Sequence, residues 1–336
     1  MSAVPTAPAS TPTLALPAVL RLLATLLPDA HVAEREASLE LTTPTTEPAR
    51  LISATVIEGQ ELRARRVLDT PAVGFAAFLD GTQKSQVALY LPGGVPLVLG
   101  TVAAVIRDRR NQRMFTWDHS VEHRLYASKA HMPAMIWDRI VESGLPLSDT
   151  SDGDAVGTAA EHPLALREAA VHRVQKDRER LEQSLALGWC RREERTLLVD
   201  GGISNAESVA RAKSVVGVVK SHRTLYASGE ALATVLALRN GERSSVFLVT
   251  SPKRATVASW YLRIRDWHGH DPMWGLVRVE VAAAQGGGGD DELGRRADEV
   301  CRWILAEVSP VALPDSRWDK MVYGVKDCEE FLRAIT

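Results

Sequence analysis

The 336-residue chain has little of what marks the specialised protein classes. Its three cysteines, Cys190, Cys301 and Cys328, stand far apart with no paired spacing. That excludes a disulfide framework and a cysteine zinc site, and it fits a reducing cytoplasm. Neither charge sign dominates: 40 Lys and Arg face 42 Asp and Glu, a net charge of −2. A whole-molecule polycation is excluded, so any nucleic-acid surface has to be a local patch. Long apolar runs are also missing. The richest stretch, Leu14–Leu27, is interrupted by Pro17 and Arg21 and has no basic leader. It is too short and too broken for a membrane span and makes a poor signal peptide. It reads instead as an amphipathic helix, Pro17–Leu27, with Leu20, Leu23, Leu26 and Leu27 as its stripe. No Walker loop, dinucleotide glycine fingerprint or nucleophile elbow occurs, and nothing signals Ser-His-Asp chemistry.

What is present is ordinary globular composition, 45% hydrophobic and 24% charged, on a chain long enough for one large or two smaller domains. Residues 1–13, rich in Pro, Ala, Ser and Thr, read as a disordered tail. Thr42–Pro48 reads as a loop. Val73–Leu79 reads as a buried strand ending at Asp80. Ser85–Tyr90, Val95–Val98 and Ala103–Asp108 follow as strands of an antiparallel meander, broken by Pro92-Gly93-Gly94. His131–Ser143 has helical spacing. The polar stretch 148–160 is a loop or an internal boundary. A long helix is expected over about Pro163–Leu187, with Ala170, Val171, Val174, Leu181 and Leu185 on its apolar side. Further strands are expected at Arg195–Val199, Ser214–Lys220, Ser245–Thr250, Ala258–Ile264 and Leu276–Ala283. Helices are expected at Ser204–Lys213, capped by Asn205, and at Gly229–Ala237, Asp291–Val308 and Val325–Ile335. Gly286–Gly289 reads as a tether and Pro310–Asp319 as a loop. The order of elements is that of a mixed α/β sheet flanked by helices, with helical additions at both ends.

One phrase occurs twice. Phe78-Leu79-Asp80-Gly81-Thr82 and Leu198-Val199-Asp200-Gly201-Gly202 each read as an apolar strand delivering a carboxylate to an Asp-Gly step. Glycine there allows a sharp turn or a close approach. Two carboxylates from neighbouring strands can hold hard divalent cations, which activate water and stabilise phosphoryl transfer. Asp-Gly is also a common turn pair, so the phrase alone does not decide the matter. The long helix offers further acids in Glu168, Glu179 and Glu182. Lys220, His222 and Arg223 follow an apolar strand, where cations can grip phosphates. Tyr261, Arg263 and Arg265 alternate along a strand near Trp260 and Trp267, a mixture suited to a single nucleic-acid strand.

Five phrases then fall in one order: Leu79-Asp80-Gly81, Val199-Asp200-Gly201-Gly202-Ile203, Gly217-Val218-Val219-Lys220, Trp260-Tyr261-Leu262-Arg263 and Gly275-Leu276-Val277-Arg278-Val279-Glu280. Together, from about Val73 to the C-terminus, they resemble the NurA nuclease family, including its bacterial NurA-domain members. The resemblance implies a domain over residues 14–336 with a core of about 73–336 and an RNase H-like fold related to the Piwi nuclease core. It implies manganese-dependent cleavage of DNA, with magnesium as the alternative ion. It also implies work beside a HerA-type hexameric DNA-translocating ATPase in end resection, and dimers in several members. Carried over by position, Asp80 and Asp200 match the metal-binding aspartates, and Glu168 or Glu182 would supply the helix carboxylate. Lys220 matches a basic position near the DNA path, and Arg278 and Glu280 match a late Arg-Val-Glu phrase with a DNA-binding or a structural role; Arg223, Arg263 and Arg265 are expected along the DNA from their own placement. A late Ala-His motif that the family often carries is missing from Tyr323–Phe331, leaving Asp327 or Glu329 as substitutes. The rival expectation is a catalytically impaired DNA-binding or ATPase-docking subunit. DNA repair and phage defence are both compatible pathways.

Overall fold

The structure is a computed structural model and describes residues 16–32, 49–151, 162–252, 254–283, 290–308 and 322–336. The expected tail 1–13, the loop Thr42–Pro48, most of the boundary 148–160, the tether Gly286–Gly289 and the loop Pro310–Asp319 lie outside the described residues.

The organising element is a three-stranded antiparallel meander of β1 (Ala77–Leu91), β2 (Val95–Arg110) and β3 (Arg113–Ala127). Beside β1 lie β4 (Leu197–Asp200) and β5 (Val215–Val219), both parallel to it. The sheet continues antiparallel through β8 (Leu276–Ala282), β7 (Arg254–Arg263) and β6 (Phe247–Ser251). The order is therefore β3-β2-β1-β4-β5-β8-β7-β6, and shorter strands bring the sheet to thirteen among the described residues. Across β3-β2-β1-β4-β5 only β2 runs against the others, which is the RNase H-like arrangement. The mixed α/β sheet flanked by helices is the expected fold.

Strict alternation along β1 builds two cores from one strand. Ala77 and Leu79 face α3 (Pro163–Arg192), which contributes Ala170, Val174, Leu181, Leu185 and Trp189 at helical spacing. Phe78 faces the other way, toward α6 (Asp290–Glu307) and α7 (Tyr323–Ile335), with Leu198, Val216 and Val218 of the neighbouring strands. At the far end of the meander, α1 (Leu16–Leu26) and α2 (Ala134–Glu142) close a third cluster around Leu89, Leu97 and Leu125. Val19, Leu23 and Leu27 are buried in it, so the leucine stripe near the N-terminus covers the protein's own core. No helix of the described residues is long and apolar enough to cross a membrane.

Several boundaries differ from the sequence reading. The first strand does not end at Asp80 but runs on to Leu91, because Gly81 and the polar stretch Gln83–Gln86 sit inside a paired ladder. The mostly polar strand β3 was not expected at all; its ladder to β2 supplies what its side chains do not. The helix expected over Ser204–Lys213 shrinks to α4 (Glu207–Ala210), and Ala206, not Asn205, is its N-cap. Strand β7 ends at Arg263, so Arg265 lies beyond it.

Candidate active site

Strands β1 and β4 pair in register, Phe78 with Leu198 and Leu79 with Val199. The next step places Asp80 beside Asp200, one strand spacing or about 4.8 Å away. Residues at matching positions of neighbouring parallel strands face the same way. Asp80 is buried at 8% exposure. Burial, then the charge of Asp200, holds its carboxyl well above the ordinary carboxylate range; Lys220 opposes this and Glu182 adds to it. The Gly81 amide donates to Asp80 Oδ1 at 2.8 Å. Lys220 follows β5 directly and brings Nζ to 2.9 Å from Asp200.

The third acid comes from α3. A Cβ on Gly81 would lie 2.2 Å from Glu182 Oε1, so the carboxylate rests on bare backbone. Gly81 thus serves close approach rather than turning. Gly201, at φ 134, serves the turn. Arg178, one helical turn before Glu182, donates to Glu182 Oε1 at 2.5 Å and to Gln83 Oε1 at 3.1 Å. Burial outweighs that partner, and with Glu179 and Asp200 nearby the Glu182 carboxyl is pushed up to about 7. Arg178, Glu182, Asp200 and Lys220 line one cleft of about 240 Å³. Its floor is braced from β8: Glu280 accepts from the Ile203 amide at 2.8 Å and from Arg278 at 2.6 Å.

Of the two candidate helix acids, the structure brings Glu182 to the aspartates. Glu168 is exposed and lies 182 − 168 = 14 residues earlier, about 21 Å along the axis at ~1.5 Å per residue. Glu329 is ion-paired with Lys326 and Arg333 instead. The α7 side chain bonded to β1 is Cys328. Its thiol donates to the Phe78 carbonyl and is pushed up by burial and then by Asp80. Asp327 is held by Arg107 at 2.5 Å.

Among the expected DNA contacts, Lys220 lines the cleft, and Arg223 is exposed just past the strand end. Arg263 and Arg278 are corrections. Arg263 is fully buried and donates to backbone carbonyls, and Arg278 is buried against Glu280 and the Tyr226 ring. Arg265 donates to the Val308 carbonyl. Trp260 is core, its indole N–H directed at Cys301 Sγ. Sequence reasoning missed Arg178 as the partner of Glu182. The signal was there, since Arg and Glu four apart on one helix face are neighbours.

The donor set suits a hard divalent cation: carboxylate oxygens, partly buried, two of them repelling each other. It fits as a pair with a nearby third acid rather than as a closed cage. Among the described residues, no three His, Cys, Asp or Glu side chains gather into a group that could hold a metal ion. Lys220 and Arg178 supply the positive charge that Asp200 and Glu182 hold here.

Two predictions follow from Glu182. A carboxyl raised from 4.5 to about 7 binds more protons folded than unfolded between those values. Stability therefore declines as pH rises through that window, by on the order of 3 kcal/mol at ~1.36 kcal/mol per unit. Glu182→Gln should flatten the decline, leaving the part due to Asp80. Thermal unfolding between about pH 5 and pH 8 checks this. Gly81→Ala should push the Glu182 carboxylate off the strand without touching either aspartate. We expect a loss of about 10- to 100-fold in whatever reaction the site performs, the scale for disturbed supporting contacts. Undiminished activity in Gly81→Ala would show that the placement of Glu182 is irrelevant.

No family model matches the chain, and no curated protein matches it. Among solved structures it is similar to the crystal structure of the NurA nuclease from Sulfolobus solfataricus. The two are 9% identical, the match covers 80% of this chain and 81% of that one, and the TM-score is 0.48.

Proposed function

We propose that the chain is a divalent-metal-dependent deoxyribonuclease. The observation that carries this reading is the in-register pair Asp80 and Asp200 on adjacent parallel strands, with Glu182 set over Gly81. The ordered phrases that resemble the NurA family support it. Asp80 and Asp200 would hold manganese or magnesium, with Glu182 as the third acid. Such ions supply an activated water and charge stabilisation for phosphodiester hydrolysis. Lys220, beside Asp200, and the exposed Arg223 would draw the phosphate backbone toward the cleft.

A nuclease without a motor motif needs a separate engine on duplex DNA. We therefore propose a HerA-like hexameric ATPase as partner, in the cytoplasm, in end resection or phage defence, with the nuclease acting as a homodimer. The buried side of α1 is occupied by the protein's own core, so docking would use another surface. The decisive measurement is cleavage of an end-labelled DNA strand with manganese, with magnesium and with a chelator. Metal-dependent shortening that is lost in Asp200→Asn supports the reading.

A second reading has its own observation. Lys220 and Arg178 already neutralise two of the three acids, which suits a DNA-binding or ATPase-docking subunit without hydrolysis. Retained DNA binding with no cleavage under any metal would favour it.

A further inference from the structure

The segment joining β7 to β8 presents two aromatic pairs. The rings of Trp267 and His268 lie 5.3 Å apart and 16° from parallel, and those of His270 and Trp274 lie 4.2 Å apart and 11° from parallel. Both histidines are exposed and both tryptophans half-buried. Neither tryptophan belongs to the packed clusters of the core.

The segment is held in shape. The amide of His270 donates to the Trp267 carbonyl, that of Trp274 to the Asp271 carbonyl, and that of Ile264 to the Gly275 carbonyl, all at 2.8 Å. Buried Arg263 donates to the carbonyls of Pro272 and Trp274 and so pins the base of the loop. The two acids of the loop are turned onto it: Asp266 accepts from His268, and Asp271 from the Met273 amide. The Arg263 guanidinium lies over the Trp267 ring, 6.0 Å from its centroid. Each tryptophan thus backs an exposed histidine ring, and what the loop offers outward is that stacked π-surface on a braced frame.

Its position ties it to the site. Arg278 near the start of β8 is paired with Val219 near the end of β5, so this loop sits at the sheet end that carries Asp200 and Lys220. His222 fastens the two, its Nε2 2.7 Å from the Leu276 carbonyl. In the sheet, β8 and β7 lie two and three strands from β4. At ~4.8 Å per strand the lateral distance to Asp200 is about 10–14 Å, within reach of one short single strand. Exposed Arg50 and Arg223 lie at the same end, joined through the Arg50 amide and the Arg223 carbonyl.

We propose that Trp267–His268 and His270–Trp274 form a stacking platform for the unpaired bases of a single nucleic-acid strand leading to the cleft lined by Asp200, Glu182 and Lys220. Every base has a π-face, so such a platform is tolerant of sequence but demands unstacked bases. Bases inside a duplex cannot reach it. This inference rests on the nucleic-acid reading above and specifies its substrate as single-stranded.

The test is the affinity of the full chain for a fluorescently labelled short oligothymidylate, in chelator so that nothing is cut. Trp267→Ala and Trp274→Ala should each weaken binding by about 5- to 150-fold, the fold-change matching ~1–3 kcal/mol per stacked base. Trp267→Phe and Trp274→Phe should keep most of it. Binding to a blunt duplex should be unaffected by all four changes. Unchanged thermal midpoints establish that the variants are folded, as expected for half-buried positions. Undiminished strand affinity in folded alanine variants overturns the platform, as does an equal loss on duplex or an inability of the wild-type chain to bind the strand. Wild-type protein that binds through these tryptophans yet cleaves nothing with manganese sinks the hydrolase reading and leaves the platform standing.

Discussion

If the chain is the proposed deoxyribonuclease, an Asp80→Asn variant is expected to lose cleavage while unfolding at the same or a higher temperature than the wild type at neutral pH. The two effects share one cause. Asp80 is buried and lies beside Asp200, and both facts disfavour its charged form. A group whose folded value is raised withdraws stability at every pH above its ordinary range. Asn keeps the shape and an acceptor for the Gly81 amide but removes the charge, so that cost disappears. Hydrolysis should fall by about 10²–10³-fold or more, the scale on which removal of a single group stabilising a transition state acts. Asp200→Asn should lose activity equally. It gives up an ion pair with Lys220, so its stability gain should be smaller. Strained or repulsive groups retained against stability mark sites kept for chemistry. Cleavage that survives in both variants would remove the aspartates from the mechanism, and loss of folding in Asp80→Asn would show that the carboxylate is structural.

The fold was legible wherever side chains advertised their surroundings. The apolar runs Leu197–Val199 and Val215–Val219 could only be buried strands, and α3 announced itself through Ala170, Val174, Leu181 and Leu185. The Asp-Gly phrases carried the two aspartates into place, because in-register pairing of two similar strands aligns whatever follows them. Strand β3 carried no such pattern: Thr116, Asp118, Ser120 and Glu122 hold their place through the ladder to β2. The choice between Glu168 and Glu182 was likewise invisible, since helical periodicity puts both on similar sides and only the gap over Gly81 distinguishes them. Arg263 shows the opposite limit. Alternation placed it correctly on one face with Tyr261, but not the fact that this face lies under α5 (Glu230–Leu236) and the β7–β8 loop.

That burial turns an expected substrate contact into an expected structural failure. Arg263 is 0% exposed. Its Nε donates to Leu238 O at 3.0 Å, Nη2 to Leu236 O at 2.8 Å, and Nη1 to Pro272 O at 2.9 Å and to Trp274 O. The Leu236 carbonyl ends α5, where helical carbonyls have no partner within the helix and a cation is favourable, and the Leu238 carbonyl lies just past it. Burial lowers the guanidinium to about 10, which still leaves it charged at neutral pH. Arg263→Met should therefore strand four carbonyls and cost several kcal/mol, at about 1–3 kcal/mol for each buried acceptor left without a donor. Arg263→Lys should recover little of it, because a point charge cannot serve four acceptors laid out for a planar fork. Denaturant unfolding measures both. Lys220→Gln is distinguished by its binding. It leaves Asp200 without its ion-pair partner and should lower stability for that reason, but its single-strand binding should also lose about 0.7 from the log–log salt slope for one phosphate contact. A stable Arg263→Met protein with a reduced salt slope would return Arg263 to the DNA path. A destabilised one with the Lys220→Gln slope change intact fixes Arg263 as the clamp that holds the loop, and Lys220 as the residue that meets the strand.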